Sequence, residues 1–388
     1  MIVRIAIITE SFPPDVNGVA HCVLRVAEHL ARARDHQPLI IAPEPARSLL
    51  RPDRDLEYPV VRVPSLPVPG YPGFRIAAPG SRLRAALVAH RTELVHLASP
   101  FVLGINGAVA AGRMGLPVVA VYQTDMPSYA RAYRFGPVGQ SIAWSRLRRI
   151  HNGAARTLAP STAAAANLDA HGIERVWLWG RGVDTVRFDP AKRSRQIRAD
   201  LVPGGEVLVG YVGRLAPEKR VELLAEVATL PGVRLVVVGS GPAEAAARRA
   251  MPSAVFLGPR HGEELASIYA SLDVFVHSGP HETFGQTLQE AAASGLPVVA
   301  PAAGGPLDLV DDGVTGFLVA PGDPGALAAA VAKLASDLGL RDAQGRAARQ
   351  KVRGRTWQAV GDELIGHYEA VLMTPTAVQA SVQAGDTI

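Results

Sequence analysis

Arg214 and Lys219 stand five residues apart in the segment Gly213-Arg214-Leu215-Ala216-Pro217-Glu218-Lys219. A guanidinium can fork two oxygens while an ammonium supplies a point charge, so this spacing suits a diphosphate. The segment directly follows the apolar run Glu206 to Val212, and solubility alone is a poor reason for cations at the carboxyl end of a buried strand. In Glu282-Thr283-Phe284-Gly285-Gln286-Thr287-Leu288-Gln289-Glu290, two carboxylates flank a glycine. A helix opening at Phe284-Gly285 turns its free amides toward an anion, and eight residues at helical rise span about 12 Å. That length separates a sugar from a ribose across a diphosphate. Glu282 is then placed to accept from hexose hydroxyls and Glu290 from the ribose 2′ and 3′ hydroxyls, although a helix dipole alone also stabilises an acid in a first turn. A third segment, Thr9 to Val19, leaves the first strand and opens the first helix. There Gly18 permits close approach of a phosphate, and Asn17 tolerates a left-handed backbone. Gly304-Gly305 supplies a further tight turn after a later strand.

The elements that must position these residues follow from periodicity. Ile2 to Ile8, Leu39 to Ala42, Leu94 to Leu97, Val118 to Tyr122 and Arg156 to Ala159 read as buried strands, separated by helical patterns such as Val19 to Ala33 and Ser81 to His90. The pattern restarts at Glu206 to Val212 and continues through Arg234 to Val238, Ala254 to Leu257, Asp273 to His277 and Pro297 to Ala300. Alternation of this kind specifies parallel α/β sheets, and its restart specifies two of them. The seam is expected near Arg181 to Gly205, where glycine, proline and a basic cluster break the period. This gives one domain over 1–185, a second over 186–372 whose last helix, after Trp357, is free to cross back, and a polar tail over 373–388 expected to be disordered. A ligand is expected in a central cleft faced by the carboxyl ends of both sheets.

Composition bounds the function. The chain has 388 residues with 48% apolar and 19% charged, enough for two cores. The one cysteine, Cys22, excludes a disulfide framework and reads as a buried helix residue. Residues 1–185 hold 21 arginines, no lysine and 13 acids, so the basic half is the half that meets an anion. These arginines are dispersed and carry no zinc-finger or aromatic RNA-binding signature, which argues against nucleic acid. Neither a spanning segment nor a signal peptide is found, so a cytoplasmic protein is expected.

Some motifs do not hold up. Asp53-Arg54-Asp55 has the Asp-x-Asp spacing of metal-dependent sugar transfer, but it sits in a charged, proline-flanked stretch that reads as a solvated loop. His277 and His281 occupy a strand end and a Gly-Pro loop rather than one helix face, which disfavours a metal pair. Gly239-Ser240-Gly241 follows a strand as a dinucleotide fingerprint does, yet Glu244 stands where that fingerprint needs glycine or alanine. A secreted two-lobed sugar-binding protein would carry a leader.

With Glu282-x7-Glu290, Gly213-Arg214-Leu215-x3-Lys219 and Gly295-x-Pro297-Val298-x-Ala300-x3-Gly304-Gly305 assembled, the chain resembles the retaining glycosyltransferases of family GT4, with the GT-B fold of two Rossmann-like domains facing a central cleft. The likeness covers residues 1–372. Phe12 to Val19, Val121 to Asp125, Leu158 to Thr162 and His277 to Phe284 are most similar to the actinobacterial GDP-mannose-dependent α-mannosyltransferases that act on glycolipids. The resemblance implies that Arg214 and Lys219 hold the donor diphosphate and, with Glu282, form the catalytic set. It implies that the amides at Phe284, Gly285 and Gln286 meet phosphate and sugar, that Arg260 and Leu265 lie where the base is seated, and that Gly18 approaches the diphosphate. Asn17, Gln123, Thr124 and Asp125 fall on the acceptor or sugar side; many relatives have histidine where this chain has Gln123. The implied reaction moves α-mannose from GDP-mannose to a membrane glycolipid with its configuration kept. Double displacement needs a carboxylate nucleophile with a second acid about 5 Å away. No such pair stands out, and the family's front-face route instead has the leaving phosphate oxygen accept the acceptor's proton, with no obligatory divalent cofactor. A UDP-sugar donor and a non-hydrolysing nucleotide-sugar epimerase remain alternatives. Arg131, Arg134, Arg146, Arg148 and Arg149, interleaved with Tyr129, Tyr133, Phe135, Ile142 and Trp144, suit peripheral contact with an anionic inner leaflet, or equally a core helix with a solvated face.

Overall fold

The chain is seen in a computed structural model that describes residues 2–374 apart from 16, 34–35, 46–55, 69–70, 79 and 124–135. It forms two compact units, one made of 1–160, 164–180 and the segment from 357, the other of 161–163 and 181–356. The first runs β1 (Val3–Ile8), α1 (Gly18–Arg32), β2 (His36–Pro43), β3 (Val60–Val63), the hairpin β4 (Ser65–Val68) and β5 (Tyr71–Ala77), α2 (Arg82–Ala89), β6 (Leu94–Leu97), α3 (Val102–Arg113), β7 (Val118–Val121), α4 (Gly136–Asn152), β8 (Arg156–Ala159), α5 (Thr162–Ala170) and β9 (Val176–Leu178). The second holds α6 (Arg195–Leu201), β10 (Val207–Val212), β11 (Val233–Val238), α7 (Glu244–Ala250), β12 (Val255–Gly258), α8 (Gly262–Ser271), β13 (Val274–Val276), α9 (Gln286–Ala293), β14 (Val298–Pro301), α10 (Pro306–Leu309), β15 (Gly316–Val319), α11 (Pro324–Ser336) and α12 (Leu338–Val352). Helix α13 (Trp357–Leu372) then closes the described chain.

The two sheets have strand orders β3-β2-β1-β6-β7-β8-β9 and β12-β11-β10-β13-β14-β15, and every pairing in them is parallel. In each, the first strand lies inside and the chain winds outward first one way and then the other, so the order reverses once. Loops leaving the two strands at that reversal part to opposite faces and leave a crevice at their carboxyl ends. In the second unit those strands are β10 and β13, which places the loop of Arg214 and Lys219 next to the loop of Glu282. Valine-rich central strands such as β10 and β13 are buried because helices cover both faces. Three short edge strands, β3, β9 and β15, and the β4–β5 hairpin extend the expected set.

The division falls between Gly180 and Arg181 rather than after residue 185, and α13 packs into the first unit's core through Val360, Leu364, Tyr368 and Val371. The Trp179 indole N–H donates to the Val360 carbonyl at 3.0 Å, and the Tyr368 hydroxyl meets His96 Nδ1 at 2.6 Å. Cys22 is buried in α1. The chain from Pro217 winds as a series of 3-10 turns, Pro217–Lys219, Val221–Leu224 and Val227–Thr229. Arg220, at φ 48° and ψ 41°, is left-handed and interrupts any continuous helix there.

Glycines let the loops at the carboxyl ends of these strands stack backbone on backbone. A Cβ on Gly304 would lie 2.3 Å from the Glu282 carbonyl oxygen, and one on Gly305 would lie 1.9 Å from that of Phe284. The Gly305 N–H donates to the Glu282 carbonyl at 2.7 Å. Gly239 and Gly241, the failed dinucleotide fingerprint, do the same for the Arg214 loop, where added Cβ atoms would lie 2.0 Å from the Gly213 carbonyl oxygen and 2.3 Å from that of Leu215. Gly304 also has φ +65°. Gly304→Ala is therefore expected to destabilise the second unit by about 2–4 kcal/mol, adding backbone strain to overpacking, as read by urea unfolding.

Candidate active site

Both cations after β10 are paired with acids. Lys219 Nζ donates to Glu282 Oε2 at 2.5 Å, and Arg214 donates to Glu218 Oε1 at 2.8 Å. The Glu218 side chain is buried while that of Arg214 is 47% exposed, so the guanidinium reaches outward from a fixed acid. Behind them the Ser278 hydroxyl donates to the Lys219 carbonyl at 2.9 Å, and the Tyr211 hydroxyl donates to the Arg214 carbonyl at 3.2 Å. The Tyr211 ring lies nearly parallel to that of His277, 11° apart in plane. Burial holds His277 at about 4, outweighing the nearby Glu282 carboxylate, so a neutral imidazole lies 3.7 Å from Glu282 Oε2. Burial presses the Glu282 carboxyl upward, but the charge and hydrogen bond of Lys219 hold it below its ordinary value.

Glu282 sits on a loop, not in the helix. Helix α9 begins at Gln286 with Gly285 at φ 105° as its left-handed cap, so the helical-rise span estimated between Glu282 and Glu290 does not apply. No side chain caps α9, and the amides of Leu288 and Gln289 turn back to the Gly285 carbonyl. The amide end anticipated at Phe284 to Gln286 thus adjoins Glu282. Phe284 and Gly285 are buried and Gln286 is half-buried. Glu290, one turn into α9, is buried, and burial pushes its carboxyl up to about 7 despite hydrogen bonds with Tyr269 and Gln286. The Tyr269 hydroxyl meets Glu290 Oε2 at 3.2 Å. Tyr269 lies one turn along α8 from Leu265, which packs on the second unit's core, so both share a helix face. Arg260, before α8, pairs with Glu264 at 3.2 Å and is not drawn into the group.

Asn17 is not left-handed. Its backbone is extended, at φ −157°, and it caps α1 by accepting from the Val19 and Ala20 amides at 3.0 Å each. Its amide donates to Ser11 Oγ at 2.6 Å. The helix start expected to be open to phosphate is therefore partly occupied by its own cap, and Gly18 is its exposed first residue. Gln123 is buried just past β7. Thr124, Asp125, Tyr129, Arg131, Tyr133, Arg134, Phe135 and Asp53-Arg54-Asp55 lie outside the described residues. In α4, Trp144 stacks on His171 at 3.6 Å, so its ring faces protein rather than a headgroup layer, while Ile142, Arg146, Arg148 and Arg149 are exposed.

Sequence reasoning passed over several residues. Arg181 is buried, 6.0 Å from the Phe284 ring centroid, and its charge acts on Glu282. Its carbonyl and that of Gly182 accept from the Gln289 and Gln286 amides at 3.1 Å each, pinning the seam segment to α9. It falls at the start of the seam expected from the sequence, where its one signal is an arginine between two glycines. In the first unit, buried Glu10 accepts from the Leu103 and Gly104 amides at the start of α3, and burial pushes it up to about 7.

Two successive parallel sheets with reversed strand order, the second presenting paired cations beside an uncapped helix and two acids, define a GT-B glycosyltransferase. Residues 16–187 match the family described as Glycosyltransferase Family 4, and residues 192–351 match Glycosyl transferases group 1. The chain is 49% identical over 371 residues to the GDP-mannose-dependent alpha-mannosyltransferase of Mycobacterium tuberculosis, covering 95% of this chain and 97% of that protein. It is 42% identical over 370 residues to the protein of the same name from Corynebacterium glutamicum, covering 95% and 89%. Anabaena HepE, solved with UDP-glucose, superposes with TM-score 0.77 at 22% identity over 95% of this chain and 99% of that one. The chain belongs to the family 4 glycosyltransferases, which sets the epimerase reading aside.

His277 and Glu290 titrate in opposite senses. Between pH 4.5 and 6.5 the unfolded chain protonates His277 while the native unit keeps it neutral, which makes stability rise with pH. Over pH 4.5 to 7 the native unit instead protonates Glu290 while the unfolded chain does not, which makes stability fall with pH. The two slopes offset one another. Replacing Glu290 by Gln removes the second, so this variant is expected to gain on the wild type by roughly 1 kcal/mol per pH unit across that window, measured by urea unfolding at stepped pH. Parallel curves would show that Glu290 ionises normally.

Proposed function

We propose that the chain is a retaining mannosyltransferase that moves α-mannose from GDP-mannose to a membrane glycolipid. The carrying observation is the Lys219–Glu282 pair across the strand reversal, a cation suited to phosphate held against an acid suited to sugar hydroxyls. The guanine nucleotide and the mannose are supported by relatives at 42–49% identity that bear that name.

In this reading the donor diphosphate exchanges places with carboxylates. Lys219 turns from Glu282 to a phosphate oxygen, Arg214 forks a second while Glu218 keeps its stem in place, and the first amides of α9 point at the remaining charge. Glu282, released, accepts from hexose hydroxyls, with neutral His277 and buried Arg181 behind it. Glu290 ionises to accept from both ribose hydroxyls, and the base lies toward Leu265 and Arg260. The bond from the anomeric carbon to the phosphate oxygen then breaks as the acceptor oxygen attacks the same face, and the departing phosphate oxygen takes the acceptor's proton. Protein groups preorganised around developing diphosphate charge lower this barrier. Two cations and the helix amides meet that charge, so no divalent ion is required. Gly18 is assigned to the donor diphosphate, and Asn17, Gln123, Thr124 and Asp125 to the acceptor or sugar side. Among the described residues no helix is long and apolar enough to cross a membrane, and the exposed arginines of α4 fit peripheral contact with an anionic surface.

The reading is tested by incubating the protein with a panel of radiolabelled sugar nucleotides and total membrane lipids. GDP-mannose label is expected in the organic phase, and label from a UDP-sugar alone would overturn the donor. Glu290→Ala is expected to weaken GDP binding by about 1.5–3 kcal/mol, measured calorimetrically. Wild-type affinity should fall as pH drops below 7, because the carboxylate must give up its proton to accept both hydroxyls, whereas Glu290→Gln should lose that component.

A further inference from the structure

Helix α12 carries Arg346, Arg349 and Gln350, and Arg353 caps its C-terminal end. At about 100° per residue these positions fall on one face. They line a cavity of about 430 Å³ together with Thr185 of the seam segment and Ala293 at the end of α9. All three arginines are exposed, and like charges sharing one rim repel one another, a repulsion that an anion among them relieves. Arg349 has Asp189 as its partner. Among the described residues, no carboxylate pairs with Arg346 or Arg353. The helix dipole favours cations near a helix end, but it does not select a face. Lys351, around the helix from this row, is neutralised by Asp311 at 2.7 Å.

We propose that this cavity is a second anion site, remote in sequence from Arg214 and Lys219, that takes a phosphate group forked between Arg346 and Arg353 with the Thr185 hydroxyl as a further partner. Guanidinium forks match the paired oxygens of phosphate, and the volume accepts more than a single ion. The group belongs either to a free phosphorylated compound or to an anionic lipid headgroup.

The test titrates inorganic pyrophosphate into the full chain under saturating GDP, and in parallel sediments the chain with phosphatidylcholine vesicles with and without phosphatidylglycerol at low salt. Both arms compare wild type with Arg346→Gln/Arg353→Gln, whose GDP affinity and circular dichroism serve as controls. Pyrophosphate binding weakened at least about tenfold by the double variant supports the site and a free ligand. Sedimentation that needs phosphatidylglycerol and both arginines supports the site and a lipid source. Arginine dependence in neither arm overturns the proposal. If the double variant misfolds, Arg346→Lys/Arg353→Lys takes its place, since it keeps the charge and loses the fork; unchanged binding in both arms would then equally overturn it.

Discussion

The pairing of Lys219 with Glu282 constrains the rest of the second unit. A lysine beside a buried neutral histidine and an arginine needs an opposing charge close by, and a carboxylate among buried groups needs a cation. Each therefore holds the other in place before any ligand arrives. In the reading proposed above the site is preorganised in position but not in partner, because the diphosphate would compete with Glu282 for Lys219. On that reading Glu282 would be freed for hydroxyls only when the exchange occurs, which would couple recognition of the sugar to recognition of the phosphate. Glu218 plays the steadier part for Arg214, buried where the guanidinium is half exposed.

A single side-chain contact does not hold two loops in register, and here the main chain does most of that work. Glycines at 239, 241, 304 and 305 bring neighbouring loops within a distance that no Cβ tolerates, so the loop of Arg214 rests on the loop after β11 and the loop of Glu282 rests on the one after β14. Backbone contacts of this sort have few soft degrees of freedom. They explain why a Gly-x-Gly segment that fails as a dinucleotide fingerprint is still present at the end of a parallel strand.

Much of this was legible in the sequence, for physical reasons. Central strands such as Val118–Val121 and Val274–Val276 are buried on both faces and write themselves as uninterrupted apolar runs. Three of the edge strands do not: β3 lies between Pro59 and Pro64, β9 has three residues and β15 opens on a glycine. Residue types announced Arg214, Lys219, Glu282 and Glu290, since charge at the end of a buried strand or in a short loop beside glycine has few structural uses. Conformation was less readable. Asn17 was compatible with a left-handed turn and with an extended cap, and only the positions of Val19 and Ala20 decide for the cap. Arg181 and Tyr269 were hidden because their roles rest on long-range packing, against Phe284 and Glu290, that no local pattern encodes.

Helix α13 joins the first unit although nearly the whole second unit separates it from the rest of that unit in the chain. Along the chain, the second unit is thus an insertion in the sequence of the first. During synthesis from the N-terminus, the inserted unit has all its strands and helices available while the first still lacks Val360, Leu364 and Tyr368 for its core and the Tyr368 hydroxyl for His96. The half that starts first is finished last, and the nascent chain passes through a stage in which one lobe is mature while the other carries an open apolar seam.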